Sequence, residues 1–210
     1  MDKFFDLDGP VYRVLAKIWG LMVLNLCIIL TSLPLVTVGV SLSAAYAVCF
    51  KMHEKNDLRV IRNYFSSFKI NFKQAIVFSV CHFFLLLLLV IDGWYFVQTS
   101  QKITVSMIGV GLTIFFLLLI TQYLYAYIAR YQDSFKTILT NSMKLSFLNS
   151  LTSFVLVGMS VGILVLMVLS SIFFVFVMYI SIFIGIAFII FLKSFLVLNV
   201  FKKYETMKEK

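Results

Sequence analysis

Charge is scarce in this chain, and it vanishes between Lys144 and Lys193, where 48 consecutive residues hold no Asp, Glu, Lys or Arg. As helix, at about 1.5 Å per residue, that run would extend roughly 72 Å against a hydrocarbon core of about 30 Å, so it must cross a bilayer twice. Charged residues make up 13% of the sequence and hydrophobic ones 62%, against a soluble norm of about 25% charged. A soluble core is thereby excluded. Cysteine, histidine and acidic residues are also few. The three cysteines, Cys27, Cys49 and Cys81, lie in or beside apolar segments at spacings that fit no zinc or redox pattern, and read as small buried packing residues. The two histidines, His53 and His82, fall on different segments, so no His-rich metal cluster is available, and no H-E-x-x-H, G-x-S-x-G or Walker pattern occurs. Asp92 is the only intramembrane carboxylate, which leaves no pair for acid and base work. The expectation is a non-enzymatic chain with no catalytic residues, no metal and no cofactor.

What is present is a series of apolar blocks. Spans are expected near 17–33, 35–51, 74–97, 103–129, 151–173 and 178–201, a six-span, all-α polytopic transmembrane helical bundle forming one domain over 1–210. Pro34, in Ser32-Leu33-Pro34-Leu35, removes a backbone donor and disfavours helix at Leu33, so the first two spans form a tight hairpin. The turn between the fifth and sixth spans lacks Pro and Gly. Dividing the length evenly places it between Phe174 and Tyr179, with Ser170-Ser171 as the competitor. Ala45-Tyr46-Ala47 superficially matches a signal cleavage site. The long leading region with Asp2, Asp6 and Asp8, and an apolar stretch of nearly 30 residues, argue for a retained N-terminus.

The net charge of +9 orients the bundle. With both termini inside, Lys3, Arg13 and Lys17, the 52–73 loop, the 130–150 loop and Lys202, Lys203, Lys208 and Lys210 of the tail all face the cytoplasm. Lys102 alone is outside. The expected location is therefore a cell membrane, crossed several times, with both termini on its cytoplasmic face. Trp19 with Tyr123, Tyr125, Tyr127 and Tyr131 would belt the inner interface, and Trp94 and Tyr95 the outer one. The 52–73 loop carries Lys55, Arg59, Arg62, Lys69 and Lys73 around Val60, Ile61, Tyr64, Phe65 and Phe68 at helical spacing, the pattern of an amphipathic interfacial helix. Phe135, Ile138 and Leu139 with Arg130, Lys136 and Lys144 repeat it more weakly. A third such segment, with Val11, Val14, Leu15 and Ile18 on one face, starts at Asp8-Gly9-Pro10. Such a basic face suits the lipid bilayer and its anionic headgroups. Nucleic acid is not expected, since no basic run is interleaved with a foldable soluble module.

Intramembrane polar residues are functional candidates by default. His82 and Asn25 lie at similar depth and would pair across helices or line a path. Asp92 reads as a hydrated interfacial carboxylate, and Lys193 as a residue that snorkels to the inner face. Helix packing is expected at Gly39 and Ser43, Gly158 and Gly162, and Ser181 and Gly185, three small-x-x-x-small faces.

Phe4-Phe5, Leu7-Asp8-Gly9-Pro10, the string Leu33 to Gly39 (LPLVTVG), the string Phe65 to Ala75 (FSSFKINFKQA), Ala129-Arg130-Tyr131 with Ser134, and Asn199 to Tyr204 together resemble the YesL family of bacterial membrane proteins. The departures are Val40, where a smaller residue is expected after the glycine, and the missing proline between the last two spans. The resemblance implies a family without a known biochemical activity, commonly encoded beside sugar-uptake ABC transporters and two-component sensors. On that footing the expected role is an accessory component of a carbohydrate ABC transporter or its sensor, with a transporter permease or sensor kinase as partner. The alternative is a small transporter or channel, its path lined by Thr37, Ser41 and Ser43 of the second span with Asn25 and His82.

Overall fold

The computed structural model describes residues 10–99 and 105–208, and among them only helices and short connections occur. In chain order they are α1 (Pro10–Thr31), α2 (Val38–Lys55), α3 (Val60–Thr99), α4 (Val105–Arg130), α5 (Phe135–Leu148), α6 (Ser150–Leu169), α7 (Ser171–Ile180) and α8 (Ile186–Lys208). A short 3-10 turn, Leu35–Thr37, precedes α2, and a π-helical turn, Ser181–Gly185, joins α7 to α8. Six stretches are long and apolar enough to span a membrane: Val11–Thr31, Leu35–Lys55, Val60–Phe96, Met107–Arg130, Ser150–Leu169 and Ser171–Thr206. The chain is an all-α polytopic bundle. Pro10 opens α1, where its missing N–H costs nothing. Asp8, Gly9, Lys3, Lys102 and Lys210 lie outside the described residues.

Pro34 does end the first hairpin arm, and hydroxyls tie the turn. Thr37 Oγ1 donates to the Thr31 carbonyl at 2.6 Å, while the Thr31 hydroxyl meets Ser41 Oγ at 2.9 Å and Tyr64 Oη at 2.6 Å. Past this turn runs the most enclosed helix, α2, buried at Gly39, Val40, Ser41 and continuously from Ser43 to Phe50. Lipid offers no hydrophobic drive between helices, so close backbone approach must supply the attraction, and α2 is built of Gly, Ala, Ser and Cys for that purpose. A Cβ on Gly39 would overlap the Tyr125 ring. Antiparallel to α2 lies the first half of α3. The Gly39 N–H donates to Ser79 Oγ (3.0 Å), Asn71 Nδ2 to Ser43 Oγ (2.8 Å) and Lys51 Nζ to Asn63 Oδ1 (3.3 Å).

This pairing corrects the reading of the 52–73 loop. The segment is helical from Val60, but it is continuous with the third span in one helix of 40 residues, about 60 Å long. Val60, Tyr64, Ser67, Asn71 and Ala75 form its buried stripe, against α2 rather than a lipid surface, while Ile61 and Phe65 face outward. The 130–150 loop behaves alike. Ser134 caps α5 by accepting from the Thr137 N–H, and α5 folds back along α4 with Ile138, Ser142, Leu145 and Ser146 buried. Ser146 Oγ donates to the Leu119 carbonyl at 3.0 Å.

Three further expectations are revised. The chain breaks at Ser170, in extended conformation, and not between Phe174 and Tyr179, where α7 is unbroken. Tyr123, Tyr125 and Tyr127 are core residues, at most 4% exposed, whereas Trp19 and Trp94 are exposed as belt anchors would be. Cys27 and Cys49 are buried as expected, but Cys81 is exposed.

Candidate functional site

Several exposed cations lie where α2 turns into α3 and along the first four turns of α3. Asn56 takes the left-handed conformation (φ 46°, ψ 32°) that lets α2 end abruptly, its N–H returning to the Lys51 carbonyl. Asp57 then accepts from the Arg59 backbone N–H and from the Arg59 guanidinium, all at 3.0 Å. Those charge-assisted bonds hold the Asp57 carboxyl well below the usual carboxylate range. Lys55, Arg59, Arg62, Lys69 and Lys73 are all exposed, Lys55 at the end of α2, Arg59 in the connection, and Arg62, Lys69 and Lys73 on α3, whose other face is buried on α2. Only Arg59 has an acidic partner among the described residues. Lys136 and Lys144 of α5 are likewise exposed. Beside this elbow, α1 and the start of α3 enclose an apolar groove of about 840 Å³, lined by Tyr12, Leu15 and Trp19 and reached by Arg62.

Arg130 does not belong to the free basic face. It is half-buried, donating from Nη1 to Glu54 at 2.9 Å and, as a fork from Nε and Nη2, to both oxygens of Glu205 at 2.8 and 3.2 Å. A bidentate guanidinium–carboxylate pair is among the most directional contacts available, and this one joins the ends of α2, α4 and α8. Tyr131 Oη adds a bond to Glu205, and burial with that bond raises its phenol above the ordinary range. Tyr127 Oη donates to Asp133 at 2.6 Å and accepts from Asn141 at 2.8 Å, fixing the α4–α5 turn.

Deeper in the bundle, Lys193 is 8% exposed and does not snorkel. Its ammonium donates to Gln122 Oε1 (3.0 Å) and to Ser160 Oγ, both neutral. These partners, on α4 and α6, hold the ammonium between helices. His53 stacks on Phe191, ring centroids 4.2 Å apart, and meets Ser194 Oγ at 3.0 Å.

Asn25 is fully buried and entirely committed to the π-helical turn. Its Nδ2 donates to the Ser181 and Ile182 carbonyls at 2.9 and 2.8 Å, and its Oδ1 accepts from the Ala187 N–H at 3.0 Å. The expected meeting with His82 does not occur: His82 sits part-exposed on α3, away from that amide network. Asp92 is exposed toward the other end of α3. Among the small residues, Gly39, Ser43 and Gly185 are packed as expected, whereas Gly158 and Gly162 face outward with nothing within 4 Å of an added Cβ.

Sequence reasoning missed Glu54, Gln122, Ser160, Ser194 and Glu205. Gln122, an amide within the apolar block 103–129, was a usable signal. Glu54 and Glu205 were the acidic residues nearest two basic helix ends. Among the described residues, no group of three or more His, Cys, Asp or Glu is placed to hold a metal. What this end of the bundle offers chemically is positive charge and hydrogen-bond donors.

No curated protein matches the chain, and no solved structure does. Residues 21–93, from α1 through α2 to the far part of α3, are similar to a family described as a protein of unknown function, DUF624.

Proposed function

We propose that the chain is a non-enzymatic accessory membrane protein that docks a partner through its basic elbow, on the cytoplasmic side. One observation carries this reading. Lys55 at the end of α2, and Arg62, Lys69 and Lys73 on α3, are exposed and without acidic partners among the described residues, and α3 is backed by protein along Val60, Tyr64, Ser67 and Asn71. A preorganised charged face gains more from a complementary partner than a flexible loop, which must first be ordered. The resemblance to the YesL family makes a carbohydrate ABC transporter permease or a sensor kinase the partner. The groove beside Arg62 suits an anionic lipid at the same face, with an acyl chain along its apolar walls.

The transporter or channel reading has less support. Asn25 spends both ends of its amide on the α7–α8 backbone, and Ser41 and Ser43 spend their hydroxyls on Thr31 and Asn71. A photo-crosslinking residue at Ile70, exposed between Lys69 and Asn71, tests the docking reading in native membranes. The expected product is an adduct with one membrane partner bearing an acidic cytoplasmic surface. Adducts with lipid alone would overturn it.

A further inference from the structure

A second concavity lies between α2, α3 and α4, next to the Arg130 lock, with a volume of about 310 Å³. That is at the lower end of the range of small-molecule clefts. Its lining includes Lys51, Lys55, Arg130, Glu54, Ser67 and Asn71. Arg130 is shared by Glu54 and, behind it, Glu205, so with Lys51 and Lys55 three cations stand against two carboxylates and the surroundings of the space are net positive. Lys51 reaches only a neutral amide, Asn63, at 3.3 Å.

Two of the polar residues that line it are largely buried. Ser67 is 7% exposed and lines the cavity without a hydrogen-bond partner for its hydroxyl among the described residues. Asn71 is 5% exposed and spends its amide nitrogen on Ser43, which leaves its carbonyl oxygen as an acceptor. A ligand in the cavity would take the place of water as the partner of both groups.

We propose that this cavity binds a small phosphate monoester. Lys51 and Lys55, neither in an ion pair among the described residues, match a group that carries about −1.5 to −2 at neutral pH. The Ser67 hydroxyl donates to a phosphate oxygen, and the Asn71 oxygen accepts from a hydroxyl on the esterified part. The apolar walls, Phe50 and Ile128 among them, exclude water from the carbon skeleton. The site shares Lys55 and Ile70 with the docking face, whereas Arg62, Lys69 and Lys73 do not line it, so variants at Lys51 and Ser67 test the cavity apart from the docking reading.

The test is calorimetric titration of the full chain in phosphatidylcholine nanodiscs with inorganic phosphate and with glycerol 3-phosphate, at constant ionic strength. Saturable binding is expected for both, tighter for the ester. Lys51→Gln should weaken it about tenfold, the loss of one charged hydrogen bond, while Lys51→Arg retains it. Ser67→Ala should weaken it several-fold, and gives a reading should Lys51→Gln fail to fold. Absence of saturable binding, or equal binding by all variants, overturns the site. Phosphatidic acid in the nanodisc then identifies the source. If it competes with inorganic phosphate, the bound monoester is a lipid headgroup; if it leaves the titration unchanged, the monoester is soluble.

Discussion

Replacing Asn25 should damage the bundle more than any other single polar substitution in α1. The amide satisfies two carbonyls of the widened turn Ser181–Gly185, where the ordinary α-helical ladder is interrupted, and the N–H of Ala187 in the first turn of α8. In Asn25→Ala the Ala187 N–H is left buried without a partner, at a cost of about 1–3 kcal/mol. The two bonds to the Ser181 and Ile182 carbonyls are each worth about 0.6 kcal/mol by the intramembrane average. Together the loss is about 2–4 kcal/mol. Asn25→Leu conserves most of the volume, so it separates hydrogen bonding from cavity formation. Ser181→Ala serves as control, because Asn25 bonds its carbonyl and not its hydroxyl. The assay is the equilibrium midpoint of denaturation by sodium dodecyl sulfate in mixed micelles, followed by helical circular dichroism. Asn25→Ala and Asn25→Leu should both shift strongly and Ser181→Ala within about 0.5 kcal/mol. An Asn25→Leu variant as stable as wild type would refute the reasoning.

Four other outcomes are expected. Gly39→Val should cost about 1–3 kcal/mol by forcing the Tyr125 ring aside, whereas Gly158→Ala should leave the midpoint unchanged, both read in the same micelle titration. Lys193→Met should be at least as stable as wild type, since it removes a buried cation whose partners are both neutral; a marked loss of stability would contradict that. Asn56→Gly should be tolerated and Asn56→Val destabilising by about 1–2 kcal/mol, because only the former keeps a left-handed residue at the α2 terminus. Finally, the Tyr131 phenol is raised in the folded protein, so the folded state binds its proton more tightly than the unfolded chain does. That stability is complete below the ordinary phenol range near pH 10 and is lost as pH rises through the folded value. A pH series of unfolding midpoints should therefore fall on the alkaline side, and Tyr131→Phe should flatten the fall.

Hydropathy and one proline made the spans and the first hairpin legible in the sequence. The fifth-to-sixth turn was ambiguous because Ser170 breaks the helix by its extended conformation alone, with no Pro or Gly to announce it. The enclosure of α2 was hidden for a different reason. Its small residues signal close approach, but not which helices approach, and hydropathy alone does not distinguish a helix sheathed by protein from one facing lipid. Asn25 was recognisable as a buried polar residue, yet its partners are backbone groups of Ser181, Ile182 and Ala187, and backbone carries no sequence signature. Equal depth had suggested His82 instead, although depth says nothing about which face of a helix a residue occupies. Lys193 was misread because its partners, Gln122 and Ser160, come from other helices whose packing hydropathy does not reveal. The basic elbow fared better. Its residues were legible as a charged helical face, while its protein backing along α2 emerged only from tertiary packing.

The most direct test of the docking reading is a mild-detergent pull-down of the full chain from its native membrane, beside a variant carrying Arg59→Gln, Arg62→Gln, Lys69→Gln and Lys73→Gln. The account predicts that wild type retains a transporter permease or sensor kinase near one to one, and that the variant, equally folded and abundant, loses it. A wild-type chain that emerges alone, or a partner held equally by both, would contradict it.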